Sequence, residues 1–184
     1  MNLKINYFKN SSSSIKLMNK IVGVFLLVIV STIFAGCPPE DDMRPVIDLK
    51  AESIEFSVVK TTDDFHGVAT IKATIKNIGN DFASGEGQQI MYLYERSLGI
   101  PTSQLGTEVA RKAFTHLSFD QTLEVTFSRN WYSASPAEGE FPPEYILVIG
   151  YDPDLYIDGN FNNDDNNHEN DELMVSGSGI NALF

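Results

Sequence analysis

Three groups of residues carry types and spacings that could do chemistry. The first is Cys37, the only cysteine among 184 residues. A lone cysteine is a buried apolar filler, half of an intermolecular bridge, a nucleophile or an attachment point. The second is the segment 152–172, DPDLYIDGNFNNDDNNHENDE, with eight acids, six asparagines and neither Lys nor Arg. Within it Asp158, Asn160, Asn162, Asn166 and Glu169 repeat the oxygen-ligand spacing of a calcium loop at five positions, Glu169 standing eleven residues after Asp158. Asn163 takes the place of the turn glycine in that pattern, and Asn also tolerates the left-handed conformation. No helices are expected to flank the segment. It therefore reads either as a loop-type calcium site or as a solvated acidic surface loop, with His168 solvated among hard oxygen donors. The third group is Trp131, Tyr132 and Phe141, in or beside the Pro- and Ser-rich stretch WYSASPAEGEFPP. Exposed on a loop they would form a ligand-binding edge for sugar or protein. The alternative for Trp131 is a cap on one end of the core.

The surroundings of Cys37 narrow its role. Ile21 to Ala35 is fifteen residues without a charge, preceded by Lys4, Lys9, Lys16 and Lys20 and followed by small residues. That is short for a membrane-spanning helix, which needs ~20 apolar residues, and it suits the apolar region of a secretory signal. The stretch before it is longer than a signal needs, so translation could also start at Met18. The end of the run, Phe34-Ala35-Gly36-Cys37, resembles the lipobox of bacterial lipoproteins, with Phe34 where Leu is commonest. The resemblance implies that Cys37 takes a diacylglyceryl group, that the peptide is cut just before it, and that the new amino group is acylated. One acyl chain binds a membrane marginally and two or more hold firmly. Residues 1–36 are then a signal peptide, expected as a signal helix, and 37–45 an acidic, Pro-rich tether. Glu40, Asp41 and Asp42 behind the cysteine resemble the export signal that sends some lipoproteins to the outer face of the cell. The alternative is a solvated spacer.

Charge excludes one class of partner. The formal net charge is -12, and the only bases before residue 37 are four lysines without an acid. Residues 37–184 therefore carry nine bases against 25 acids, a net of -16. Such a body repels nucleic-acid phosphates and anionic headgroups. Catalysis has no motif to rest on. The metalloprotease H-E-x-x-H, the nucleophile elbow G-x-S-x-G and the phosphate loop G-x-x-x-x-G-K are all missing, and His66, His116 and His168 stand far apart with no paired nucleophile. The chain reads as a non-enzyme.

The elements that must position these groups alternate with period two from Val46 onward. In GVATIKATIKNIGN, Ala69, Ile71, Ala73 and Ile75 alternate with Thr70, Lys72, Thr74 and Lys76. QTLEVTFSRNW repeats the pattern with Leu123, Val125 and Phe127. EYILVIGY, 144–151, is apolar on both faces and reads as a central strand covered on both sides. QQIMYLYE, AESIEFSVV, GTEVARKAF and ELMVSG are further strand candidates, TEVARKAF being the one contender for a helix. Asn77 to Asn80, NIGN, is expected to reverse the chain with Gly79 at positive φ. Many short strands at this spacing predict an all-β, antiparallel sandwich over 46–184.

IKATIKNIGN, LSFDQTLEVTFSRNW, YILVIGYDPD and DDNN, in that order, resemble the cell-adhesion-related domain found in bacteria, CARDB. The resemblance runs from Pro45 to Val175. Lys76-Asn77-Ile78-Gly79 fits the turn after the family's second strand. Asp120-Gln121 departs from its Gly-led turn, and the acidic loop is longer than usual. The resemblance implies a seven-stranded immunoglobulin-like sandwich with no enzymatic site. It also implies extracellular binding, adhesion or spacer roles. Two functions stand on this reading: an anchored adhesion module that binds a polysaccharide or envelope protein at the outer membrane or cell surface of a bacterium, or a structural accessory without a small ligand.

Overall fold

The computed structural model describes residues 44–61, 63–134 and 141–184. The expected signal peptide, Cys37 and most of the tether lie outside the described residues. One compact unit runs from Arg44 to Phe184. Among the described residues no helix is long and apolar enough to cross a membrane.

The unit is built of antiparallel β-sheets. Its strands are β1 (Leu49–Lys60), β2 (His66–Asn77), β3 (Phe82–Ala83), β4 (Gln89–Arg96), β5 (Thr107–Phe114), β6 (His116–Leu117), β7 (Thr122–Tyr132), β8 (Glu144–Tyr151) and β9 (Glu172–Ser176). A four-residue helix, α1 (Ser178–Asn181), follows β9. The strands form three sheets, in the orders β1-β2-β7, β3-β6 and β5-β4-β8-β9. Nine strands among the described residues stand where seven were expected. The excess is the pair β3 and β6, two residues each, too short to leave a periodic signal. TEVARKAF is strand β5, not a helix; it pairs with β4 along its length.

Alternation decides which side chains meet. Ala69, Ile71, Ala73 and Ile75 of β2 are all buried. They face Met91 and Leu93 of β4 and Tyr145, Leu147 and Ile149 of β8 in one core between the two larger sheets. β8 is covered on its other face as well. Ile146 is fully buried outside that core. On that face Arg96, itself buried, donates from Nη1 to the carbonyls of Thr102 and Gln104, both at 3.0 Å. It also pairs through Nη2 with Glu144 at 2.7 Å. One guanidinium thus pins the 97–106 connection to the sheet.

Gly79 sits in the reversal after β2, but for a different reason than expected. The positive-φ residues are Gly87, Gly99, Gly106, Gly159 and Asp120, so Gly79 does not need left-handed freedom. A Cβ there would run into Asp48 N and Val46 O. The turn is clamped by Asn77, fully buried, whose Nδ2 donates to the carbonyls of Asn80 and Leu117, both at 2.7 Å, while its Oδ1 accepts from Gly79 N.

Candidate functional site

Strand β8 runs between the two places where chemistry-bearing residues gather. Its last residue, Tyr151, meets the acidic segment, and Pro143, just before its first residue, lines an aromatic pocket. Eight residues of strand separate them, roughly 24 Å.

The acidic segment is tied down by N–H donors. Asp158 Oδ1 accepts from Asn160 N at 2.6 Å, and its Oδ2 accepts from Asn163 Nδ2 at 2.9 Å and Gln88 Nε2 at 3.1 Å. These bonds hold the Asp158 carboxyl below the usual range, the Asn160 backbone bond contributing most. Asn160 Oδ1 accepts from the backbone and side chain of Asn162. Asn166 Oδ1 accepts from Ile47 N at 2.9 Å. Glu169 is exposed in a 3₁₀ turn, His168–Asn170. Of the calcium set expected from Asp158, Asn160, Asn162, Asn166 and Glu169, three side-chain oxygens serve as turn and strand acceptors: those of Asp158, Asn160 and Asn166. The left-handed turn residue is Gly159, not Asn163.

A different set converges. Ligand atoms of Asp165, His168 and Asp171 lie within 4.8 Å of one another. Asp165, 5% exposed, accepts from Leu49 N at 2.9 Å, Asn167 N at 2.9 Å and the Tyr151 hydroxyl at 2.7 Å. The same hydroxyl lies 3.0 Å from Asp171 Oδ1. One phenol has one proton for two carboxylates, so the second contact closes when Asp171 carries a proton. Burial, with the Asp165 charge adding to it, pushes the Asp171 carboxyl up to about 6.

His168 is not merely solvated. Its Nδ1 is 2.7 Å from Asp171 Oδ2 and its Nε2 is 3.0 Å from the Tyr156 hydroxyl. The Tyr–His–Asp order looks like a catalytic relay. Burial and the carboxylates of Asp165, Asp171 and Asp164 push the Tyr156 phenol up to about 12, which keeps it protonated and a poor nucleophile. The arrangement stitches the segment to the start of β1, while Asn163 Oδ1, Asp164 Oδ1 and Asn170 Oδ1 are buried there without a hydrogen-bond partner among the described residues. Ile47 and Asp165 form a parallel bridge, and Asn170 Nδ2 donates to Asp48.

The aromatic end is built differently. A cavity of about 460 Å³ is lined by Trp131, Tyr132 and Phe141 together with His66, Arg129 and Asn181, among others. Trp131 is 8% exposed and donates from Nε1 to Asn181 Oδ1 at 2.7 Å, so it caps the core and also forms a wall. Tyr132 and Phe141 are 39% and 60% exposed. The Tyr132 ring stacks on His66 at 4.4 Å between centroids. His66 Nδ1 is in turn held by the Asp63 carboxylate at 2.8 Å. Arg129 lies 5.5 Å over the Trp131 ring, and its Nη1 donates to Glu95 Oε1 at 2.7 Å. Tyr145 donates to the other oxygen of Glu95 at 3.0 Å, and burial followed by the Glu95 charge pushes its phenol up.

No family model matches the chain, and no curated protein matches it. Among solved structures, a β-glucosidase from Kluyveromyces marxianus in complex with glucose is similar over 72% of this chain and 14% of its own, at 12% identity and a TM-score of 0.28. The selenomethionine-labelled form of that enzyme gives 15% identity over 60% of this chain and 13% of its own, at a TM-score of 0.27. The chain spans about one seventh of the length of these proteins, and so low a likeness carries no inference about its role.

The sequence pointed to the three aromatics and missed His66, Arg129 and Asn181. One of these left a signal. Arg129 continues the core-facing row Leu123, Val125, Phe127, where a cation is out of place unless paired. His66 and Asn181 left none, since their approach depends on β2 pairing with β7 and on where α1 lands.

Proposed function

We propose that this chain is a lipid-anchored lipoprotein of a bacterial envelope, and that its β-sandwich is a binding module rather than a catalyst. The partner is a polysaccharide or an envelope protein. The observation that carries this reading is the aromatic cavity, where partly exposed rings stand beside the Asn181 amide and the Arg129 guanidinium at one end of the sandwich. That combination suits small-ligand and glycan recognition, in which rings supply contact area and a few polar groups set orientation. The seven longer strands, in the orders β1-β2-β7 and β5-β4-β8-β9, are read as an immunoglobulin-like sandwich. Attachment through Cys37 and the acids behind it places the module at the outer membrane or cell surface.

Full-length protein in detergent, applied to a glycan array and used in pull-downs from envelope extracts, tests the binding reading. Tyr132→Ala with Phe141→Ala should abolish whatever is captured. Capture that survives the double substitution assigns binding elsewhere on the domain. Cys37→Ser should leave uncleaved or soluble precursor, and a variant that stays processed and membrane-bound removes the anchor from the reading. Protease added to intact cells should shave the domain; resistance until lysis assigns the inner side.

A further inference from the structure

We infer that the occupant of the aromatic cavity is an acidic saccharide, a sugar ring bearing a carboxylate; this rests on the reading of that cavity as the binding site. The argument is one of charge. Residues 37–184 hold 25 acids and nine bases. Yet the basic side chains lining the cavity are Arg129 and His66, and no carboxylate is among the lining residues. One of the domain's nine Lys and Arg side chains thus stands at its aromatic concavity with an imidazole beside it. Both are held in place from behind. Glu95 takes one corner of the Arg129 fork through Nη1, and the Tyr145 phenol stands behind the same pair on the other Glu95 oxygen. A guanidinium fixed at one corner keeps a pre-organised donor edge for a second carboxylate. Asp63 fixes Nδ1 of His66, which leaves Nε2 for the ligand.

The rest of the lining selects a sugar. Tyr132 and Phe141 offer ring faces for the C–H face of a pyranose. Asn181 Oδ1 is engaged by Trp131, which leaves its Nδ2 to donate to a hydroxyl, and Asn130 lies beside it. A volume of about 460 Å³ lies within the ~300–1,000 Å³ typical of small-molecule sites and takes a short saccharide segment rather than a protein surface.

The test uses full-length protein in detergent with three probes: oligogalacturonate, its methyl ester and oligoglutamate of matched charge. The acid and the ester share rings and hydroxyls and differ in charge. The expected result is that the acid binds roughly tenfold or more tighter than the ester, as one charge-assisted contact predicts. The advantage should shrink as salt rises. Arg129→Gln should make acid and ester equal, while Tyr132→Ala, which leaves the Arg129–Glu95 pair in place, should weaken both by the same factor. Should Arg129→Gln fail to fold, the comparison of acid with ester on the unaltered protein still decides. Equal binding of acid and ester overturns the acidic inference and leaves the binding module standing. Oligoglutamate held as tightly as oligogalacturonate overturns the saccharide. Loss of both sugars, with capture of some other glycan on the array, overturns this inference alone; silence toward every glycan and protein overturns the binding reading itself.

Discussion

The two ends of β8 use polar residues in opposite ways. At the Tyr151 end, carboxylates and amides are numerous and inward-looking: Asp165 alone ties β1, the acidic segment and β8 together through Leu49 N, Asn167 N and the Tyr151 hydroxyl. At the Pro143 end, polar groups are few and stand beside partly exposed rings. A high density of carboxylates thus goes here with dense internal bonding, and the sparse, aromatic end is the one that leaves a concave surface open. Buried acceptors that find N–H partners stabilise a fold, and donors left over at a concave surface are what a ligand can use.

Substitutions should separate the ends, and the largest effect belongs to the backbone of the acidic end. Gly79→Val drives a Cβ and its branches into Asp48 N and Val46 O, so unfolding in denaturant should show a loss of about 3 kcal/mol or more. Next comes Asp165→Ala, which strands the Leu49 and Asn167 amides and leaves the Tyr151 hydroxyl with Asp171 alone. A loss of about 2–4 kcal/mol is expected, with ligand capture by the surviving folded fraction unchanged. At the other end, Tyr132→Ala should change stability by no more than about 1 kcal/mol, its ring being partly exposed, and yet weaken capture. If Asp165→Ala cost nothing, or if Tyr132→Ala unfolded the domain, the division between a structural end and a binding end would be wrong.

How far the sequence reveals this division depends on the distance over which the partners come together. The alternation of 67–77 and 122–131 is local, and it matches β2 and β7 residue for residue, with the apolar set inward. The aromatics of the cavity were visible because Trp131, Tyr132 and Phe141 sit close in the chain. The roles of the acids were not visible. Density and spacing suggested a cation, but what settles an oxygen's role is which donor reaches it. The donors to Asp158, Asp165 and Asn166 include Gln88, Leu49 and Ile47, 70 to 119 positions away in the chain. Asp120 shows the same limit in a turn. Its φ of 63° is a left-handed conformation that the residue type alone hid.

Proton linkage sharpens the contrast at smaller magnitude. The Asp171 carboxyl is raised to about 6, by burial first and by Asp165 second, whereas in the unfolded chain it returns to about 3.9. The folded state therefore holds a proton that the unfolded state has released between those values. Stability contributed by this group is fully present below the unfolded pKa and is lost as pH rises through the folded one. Solvent at the rim of the segment screens the effect to about 1 kcal/mol. Asp171→Asn should flatten that stretch of the stability curve, measured by denaturant melts from pH 4 to pH 7. A curve as steep in the variant as in the parent would assign the slope to another group.

The smallest expected effect is that of calcium. A cation that bound only the folded state would raise stability by RT ln(1 + [L]/Kd), ~2.7 kcal/mol at a hundredfold excess over Kd. At Asp158 and Asn166 it would compete with the Asn160 and Asn163 donors and with the Ile47 amide. Each exchange leaves a backbone or amide N–H without its partner, and these losses offset the gain. Calcium in the millimolar range should therefore shift the melting temperature no further than sodium at matched ionic strength, which acts by screening alone. Melting curves with calcium, magnesium, matched sodium and chelator measure this, with Asp158→Ala as the control. A calcium-specific rise that Asp158→Ala abolishes would mean that these donors yield to a cation, and that the acidic end is a ligand site as well.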